Sequence, residues 1–329
     1  MNSRINVVVG ILYNSNKDKV LITKRTSKQY LSGYWEFPGG KIKKNEDSFS
    51  ALSREFYEEL GVSITKAKRL IKINHDYIEK KVLLDVWKIY EWDGDPYNRE
   101  NQEIRWSTIN NLSNYKFPEA NKYIIQTLYL PDTYGISRKT YKDYSHLFST
   151  ARDYFNSGLK IFQLRLNFER DEKFKKNIEK ISKEAKKNNA KLILNGLASD
   201  IEHYTVDGIH LKSKQLLNYT SRPISGNYIL GASCHNEKEL IQAKKLNVNY
   251  AFISPVLNTN SHLTETPLGW GNFKNLAKKA NFPVYALGGM SLLDLEIAKE
   301  HGAYGIAMIS AINSLSLLKC ELKISMIYF

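Results

Sequence analysis

Three glutamates, Glu55, Glu58 and Glu59, stand at spacings i, i+3 and i+4. On a helix of about 100° per residue they fall within about 100° of one another. Carboxylates placed in this way repel, and a bare surface helix gains nothing from the arrangement. A hard divalent cation removes the penalty. Mg2+ takes oxygen ligands, keeps several waters and shares its shell with substrate phosphates. Such a group could meet a phosphate-bearing substrate through the ion. Just upstream, Gly39-Gly40 permits a tight backbone turn, and a carbonyl there could join a metal shell. Arg54 and Glu46 could pair across the helix start and hold the glutamates in place. For three glutamates alone, the competing interpretation is a solvated acidic face.

These residues need a helix to carry them, and the spacing predicts one over Ser48–Leu60. Asp47 is its N-cap and Gly61 its stop. Phe49, Leu52, Phe56 and Leu60 share one apolar stripe. Around it, Ile5–Tyr13 and Lys19–Thr23 read as a hairpin about Asn14–Asp18, and Val82–Ile89 as a further strand. Residues 92–96 form a turn, Tyr123–Leu130 a closing helix and Pro131-Asp132 a linker. From Tyr134 onward the texture changes. Short apolar runs at Tyr134–Ser137, Ile161–Arg165, Lys191–Asn195, Gly208–Leu211, Tyr228–Ala232, Tyr250–Pro255, Pro283–Leu287 and Tyr304–Ile309 alternate with lysine-rich helical stretches. That alternation predicts a (β/α)8 barrel, with an open doubly wound sheet as the alternative. The expected domains are residues 1–130 and 131–329.

The glutamates belong to a longer pattern. Gly40, five residues, Glu46, seven residues, then Arg54-Glu55-Phe56-Tyr57-Glu58-Glu59-Leu60-Gly61-Val62 resembles the Nudix box at every defined position. Leu21-Ile22-Thr23-Lys24-Arg25, Trp35-Glu36-Phe37-Pro38-Gly39-Gly40-Lys41 and Phe117-Pro118-Glu119-Ala120-Asn121 resemble the MutT branch of that family. The resemblance covers residues 4–130. It implies an α/β/α sandwich with a mixed sheet. It also implies Mg2+-dependent (or Mn2+-dependent) hydrolysis of 8-oxo-dGTP to the monophosphate and pyrophosphate.

Carried over residue by residue, Glu55, Glu58 and Glu59 become metal ligands, and Gly40 a carbonyl ligand. Glu100 becomes a further ligand or base. One box glutamate, or Glu100, would take the proton of the attacking water. Arg25 would contact phosphate, with a surface salt bridge as its plain alternative. Glu36 and Phe37 fall in the substrate-binding segment. Asn121 would read the base. Its amide sets a donor beside an acceptor, matching the oxidised purine edge, whereas normal guanine presents two acceptors. Its plain alternative is a helix cap. Where the MutT pattern has an arginine near the base, this chain has Lys80 or Lys81.

The second half resembles the thiamine phosphate synthase and TenI group of barrels. The resemblance rests on Gln163-Leu164-Arg165, Leu194-Asn195, Asp207-Gly208-Ile209-His210-Leu211, Gly231-Ala232-Ser233-Cys234-His235, Ser254-Pro255-Val256, Gly288-Gly289-Met290 and Ser310-Ala311-Ile312. It implies a phosphate held at Gly288, Gly289, Ser310 and Ala311. The catalytic pattern is degenerate. Asn195-Gly196 replaces an Asn-Asp pair. Lys212-Ser213-Lys214-Gln215 lacks the second metal-binding aspartate, and Leu166-Asn167 replaces a lysine. Without two carboxylates a Mg2+ has no seat there. His235 and His262 are acid–base candidates in the barrel loops.

Composition narrows the field. The chain has 329 residues, 42% hydrophobic and 25% charged, which is globular and long enough for two cores. Cys234 and Cys320 cannot build a disulfide scaffold, which favours a reducing cytoplasm. No run approaches the roughly 18 apolar residues of a membrane span. The net charge of +14 admits a nucleic-acid partner, yet the lysines are scattered and form no basic arm. The expected partner is a small nucleotide, and the sequence leaves the oligomeric state open. The competing functions are hydrolysis of thiamine-related diphosphates, ligand sensing by the barrel and RNA processing.

Overall fold

The computed structural model describes residues 4–78, 80–259 and 266–310. The chain divides into two compact units, Met1–Tyr129 and Leu130–Phe329.

In the first unit, β1 (Ile5–Leu12) pairs parallel with β5 (Lys81–Asp93), which pairs antiparallel with β4 (Ser63–Asp76). A second sheet joins β2 (Lys19–Lys24) antiparallel to β3 (Trp35–Glu36) and to β6 (Ile104–Thr108). The expected hairpin is therefore only a turn. A single bridge, Tyr13 to Val20, links its arms, which then enter different sheets. β4 has no counterpart in the sequence expectations. Its outward positions carry Lys66, Lys68, Arg69 and Lys72, and three register shifts break its alternation.

Helix α1 (Ser48–Leu60) has the predicted bounds. Asp47 accepts from the backbone N–H groups of Phe49 and Ser50 at 2.9 and 3.1 Å. Gly61 closes the helix in the left-handed region, φ 69°. Ala51, Leu52, Phe56 and Leu60 are buried against Val8, Leu12, Leu21, Val62, Ile64 and Ile89. Phe49 is displaced from the expected stripe; it is 36% exposed and tilts against Trp87. Gly10 on β1 leaves room for the Phe56 ring, which a Cβ there would strike. This packing fixes the helix azimuth and turns the glutamate face away from the core. Helix α2 (Asn121–Leu128) starts two residues before the expected closing helix.

The second unit is a closed parallel barrel of eight strands. They are β7 (Thr133–Ile136), β8 (Ile161–Leu164), β9 (Lys191–Asn195), β10 (Gly208–Leu211), β11 (Ile229–Cys234), β12 (Tyr250–Ile253), β13 (Val284–Leu287) and β14 (Gly305–Met308). Each falls on one of the expected apolar runs. The barrel stays short because the helices after β9 and β10 are single turns, Asp200–His203 and Ser213–Leu216. Its interior holds Tyr134, Tyr250, Tyr285, Phe252 and His210, all buried. Tyr134 and Tyr250 hydroxyls meet at 2.5 Å, and His210 bridges Tyr250 Oη (3.2 Å) and Ser233 Oγ (2.9 Å).

Candidate active site

Residues 38–42 run beside β1 and seat the glycine turn. The Gly10 N–H donates to the Pro38 carbonyl and the Val8 N–H to the Gly40 carbonyl, each at 2.9 Å. The Gly40 oxygen thus spends one lone pair on the fold and keeps the other. Gly39 has φ 144°, and a Cβ there would collide with the Val8 carbonyl. A Cβ at Gly40 would collide with the Glu55 carboxylate, so that carboxylate lies directly against the turn.

Arg54 organises the rest. Its Nε and Nη2 donate to the two Glu46 carboxylate oxygens at 2.8 and 2.9 Å. Its Nη1 donates to Glu55 (2.8 Å) and Glu58 (3.1 Å), and Nη2 also reaches the Lys41 carbonyl at 3.1 Å. The Arg54 guanidinium and the Lys43 backbone N–H hold the Glu46 carboxyl down at about 2. The predicted Arg54–Glu46 pair is present, and it extends to two of the three helix glutamates.

Glu59 is different. Its Oε2 accepts from the Gly39 N–H at 3.3 Å. Burial, and then the charges of Glu36, Glu55 and Glu100, push its carboxyl up to about 8. Glu100 is exposed, and backbone straps bring its loop to the helix. The Arg99 N–H donates to the Glu59 carbonyl and the Tyr97 N–H to the Leu60 carbonyl, each at 3.1 Å, while Arg99 Nη1 donates to the Tyr57 carbonyl at 2.7 Å.

As placed, the three box glutamates do not surround one point. Among the described residues no three His, Cys, Asp or Glu side chains are grouped to hold a metal ion. Arg54 holds Glu55 and Glu58, and Gly39 holds Glu59. The donor set itself fits a hard divalent cation. It is all oxygen, its carboxylates are crowded, and the buried one carries too little compensating positive charge.

On the far side of the turn, Arg25 meets Glu36, with Nε at 2.8 Å and Nη2 at 2.6 Å from Oε2. Arg25 Nη1 also donates to the Tyr30 carbonyl at 2.6 Å. This salt bridge is half-buried rather than a surface pair. Burial raises the Glu36 carboxyl, against the pull of Arg25. The Phe37 ring is buried and stacks on Phe117 with centroids 5.6 Å apart, so its side chain is packing.

Asn121 is 9% exposed, and its side-chain amide has no hydrogen bond among the described residues. It is the first helical residue of α2, with Ala120 at the cap position, so it is not a helix cap. Next to it, the Ala120 N–H donates to Tyr77 Oη at 3.4 Å. Lys80 stands 4.2 Å from the Tyr30 ring centroid and 5.6 Å from that of Tyr77. Tyr30 and Tyr77 escaped the sequence reading. Their only signal was aromatic character in two loops far apart in sequence.

In the barrel, Gly288 and Gly289 have φ of 100° and 73° and press against residues 255–258. The Leu257 N–H donates to the Gly288 carbonyl at 3.1 Å. Ser310 is exposed after β14; Ala311 and His262 lie outside the described residues. His235 Nδ1 sits 2.7 Å from the Ser254 carbonyl, tying two loops together.

Fold and site together define the class, a Nudix-type hydrolase joined to a synthase-type barrel. The chain belongs to the Nudix family, whose domain matches residues 8–127, and to the thiamine monophosphate synthase family, which matches residues 133–312. It is 38% identical over 125 residues to an 8-oxo-dGTP diphosphatase of Buchnera aphidicola subsp. Schizaphis graminum, covering 37% of this chain and 92% of that relative. It is 30% identical over 125 residues to the Escherichia coli 8-oxo-dGTP diphosphatase, covering 38% and 96%. The barrel is 28% identical over 173 residues to the Methanococcus maripaludis thiamine-phosphate synthase, covering 53% and 84%. The chain is therefore a Nudix hydrolase with a second, barrel unit. No helix among the described residues is long and apolar enough to cross a membrane.

Proposed function

We propose that the first unit hydrolyses 8-oxo-dGTP to 8-oxo-dGMP and pyrophosphate with Mg2+, sanitising the nucleotide pool. The observation that carries this reading is the crowding of Glu59 by Glu36, Glu55 and Glu100 beside the Gly39-Gly40 turn. Glu55, Glu58, Glu59, Glu100 and the free lone pair of the Gly40 carbonyl would hold the cation. When bound, Mg2+ (or Mn2+) neutralises phosphate oxygens and lowers the pKa of the attacking water. One of the four glutamates accepts that water's proton. Arg54 keeps Glu55 and Glu58 on the reacting side of the helix. Arg25 exchanges part of its contact with Glu36 for a phosphate, which its planar fork suits.

Asn121 presents an unused donor and acceptor to the base. With 8-oxoguanine both are satisfied; with guanine an acceptor faces an acceptor, costing about 1–3 kcal/mol. Lys80 takes the position of an arginine and meets the base as a point charge on an aromatic seat. In the second unit, the backbone N–H groups of Gly288 and Gly289, with Ser310 and Ala311, would hold a phosphate.

The test is hydrolysis with Mg2+ of 8-oxo-dGTP, dGTP and thiamine diphosphate side by side, with products resolved by chromatography. Preference for 8-oxo-dGTP, releasing monophosphate and pyrophosphate, is expected. The fused barrel favours one second reading, hydrolysis of thiamine-related diphosphates. Cleavage of thiamine diphosphate with little nucleotide turnover would replace the first reading with the second.

A further inference from the structure

Helix α4 (Glu172–Lys187) follows β8 and packs against α3 (Tyr144–Asn156). It carries seven lysines against three glutamates. At about 100° per residue, Lys173, Lys176, Lys180, Lys183 and Lys187 share one stripe about 80° wide. The buried residues of the helix, from Phe174 to Ala185, lie on the opposite side, about 160° away. All five lysines are exposed. Successive members stand three and four residues apart, the spacing at which like charges repel. Only Lys187 has a carboxylate partner, Glu184 at 3.5 Å. Glu172 and Glu179 border the stripe without forming an ion pair with it. Lys173, Lys176, Lys180 and Lys183 thus pair with no carboxylate among the described residues.

Where the stripe faces α3, aromatic rings lie beneath the cations. Lys180 Nζ stands 4.1 Å from the Phe148 ring centroid, and Arg152 Cζ, from α3, stands 5.9 Å from the same centroid. Lys173 Nζ lies 5.5 Å from the Tyr144 ring, which meets Phe168 at 4.5 Å between centroids. Tyr144, Phe148 and Phe168 are half-buried, so part of each ring reaches the surface. The rings gather cations from both helices onto one strip. Carboxylates bound the strip at its Tyr144 end. Asp171 caps α4, accepting from the Phe174 N–H at 2.7 Å. Burial, and then the charges of Asp171 and Glu169, raise the Tyr144 hydroxyl. From Lys173 to Lys187 the strip is cationic over about 21 Å of helix.

We propose that this α3–α4 face binds a single-stranded polynucleotide. A lone phosphate would meet one or two of these cations, whereas a chain of phosphates meets the whole row and releases counterions along it. A lipid surface calls for apolar side chains standing clear of the lysines, and here the rings lie beneath them. Phosphates draw Lys180 and Arg152 off the Phe148 ring, and an unpaired base stacks on the freed face. A duplex keeps its bases inside and leaves that ring unused. The inference does not depend on what the Nudix unit hydrolyses.

Fluorescence anisotropy of the full chain with a labelled oligouridylate of about 12 nucleotides, in EDTA and over a range of salt, tests it. EDTA removes the metal through which the Nudix unit would engage phosphates. The logarithm of the binding constant is expected to fall with the logarithm of salt at a slope of about −3, as for roughly four phosphates neutralised on a single strand. The double variant Lys176→Gln/Lys183→Gln changes two exposed side chains, so it should fold as wild type. It is expected to weaken binding tenfold or more at low salt and to make the slope shallower by about 1.4. Phe148→Leu should weaken single-strand binding severalfold, with the slope unchanged and duplex binding unaffected. No binding at low salt, undiminished binding in the folded double variant, full single-strand affinity in Phe148→Leu, or binding to phosphatidylserine vesicles with none to oligouridylate would each overturn the proposal.

Discussion

A methyl group at Gly40 would strike the Glu55 carboxylate; one at Gly196 would strike Asp200 and Arg170. In both units a glycine makes room for a carboxylate beside a backbone turn. The electrostatic outcomes are opposite. Around Gly40 one arginine serves Glu46, Glu55 and Glu58, and Glu59 is left among like charges. Around Gly196 a single carboxylate meets a single guanidinium. The first unit is left with excess negative charge, which suits a cation. The second balances its carboxylate within the protein.

The comparison breaks most sharply at Glu58. Glu58→Gln is expected to lower Mg2+-dependent hydrolysis on the order of a thousandfold, since one charged oxygen ligand disappears. Asp200→Asn, in the barrel, is expected to leave that rate unchanged. Steady-state turnover of both variants checks the pair, and wild-type turnover by Glu58→Gln would remove the metal assignment. Gly40→Ala comes next. Its methyl group displaces the Glu55 carboxylate without touching the helix core, so turnover should fall about a hundredfold. The thermal midpoint should barely move. A large loss of stability instead would mean that Gly40 serves the fold and not the site.

What could be read without coordinates follows from range. Helix α1 was legible to the residue because its cap, stripe and stop are local signals. All eight barrel strands were legible because each is a short run buried on both faces. β4 was not, because lysines and bulges erase its alternation. Nor was the separation of β1 from β2, which depends on pairing with residues 82–89 and 104–108. At the site, residue types and spacing named the glutamates. They could not show that Arg54 would hold two of them while Glu59 turned to Gly39. The approach of Glu100 rests on main-chain hydrogen bonds of residues 97 and 99, which leave no trace in side-chain pattern. The barrel's missing aspartates were visible; the Arg170–Asp200 pair beside Gly196 joins a loop to a one-turn helix and was not.

Asn121 sharpens the first half of the comparison, because it separates base reading from chemistry. Asn121→Ala removes an amide that has no hydrogen-bond partner among the described residues, so folding should be little affected. The kcat/KM ratio of 8-oxo-dGTP to dGTP should fall about ten- to hundredfold, while turnover at saturating substrate stays close to wild type. An unchanged ratio would shift base recognition to the Tyr30, Tyr77 and Lys80 group.

The smallest expected effect lies in the barrel interior and concerns stability. His210 is fully buried, and burial, with Arg165 adding to it, lowers its pKa from 6.5 to about 3. Tyr250 and Phe252 on β12 and Ser233 on β11 contact its ring, and among the described residues no carboxylate pairs with it. The folded chain therefore keeps His210 neutral while the unfolded chain takes up a proton below pH 6.5. Stability is full above 6.5 and is lost as pH falls toward 3. At pH 5 the loss is about 2 kcal/mol, since each pH unit below the unfolded value costs roughly 1.4 kcal/mol. Hydrogen exchange at the β10 amides, corrected for the intrinsic rate, should open about thirtyfold more often at pH 5 than at pH 7. His210→Gln should flatten that dependence.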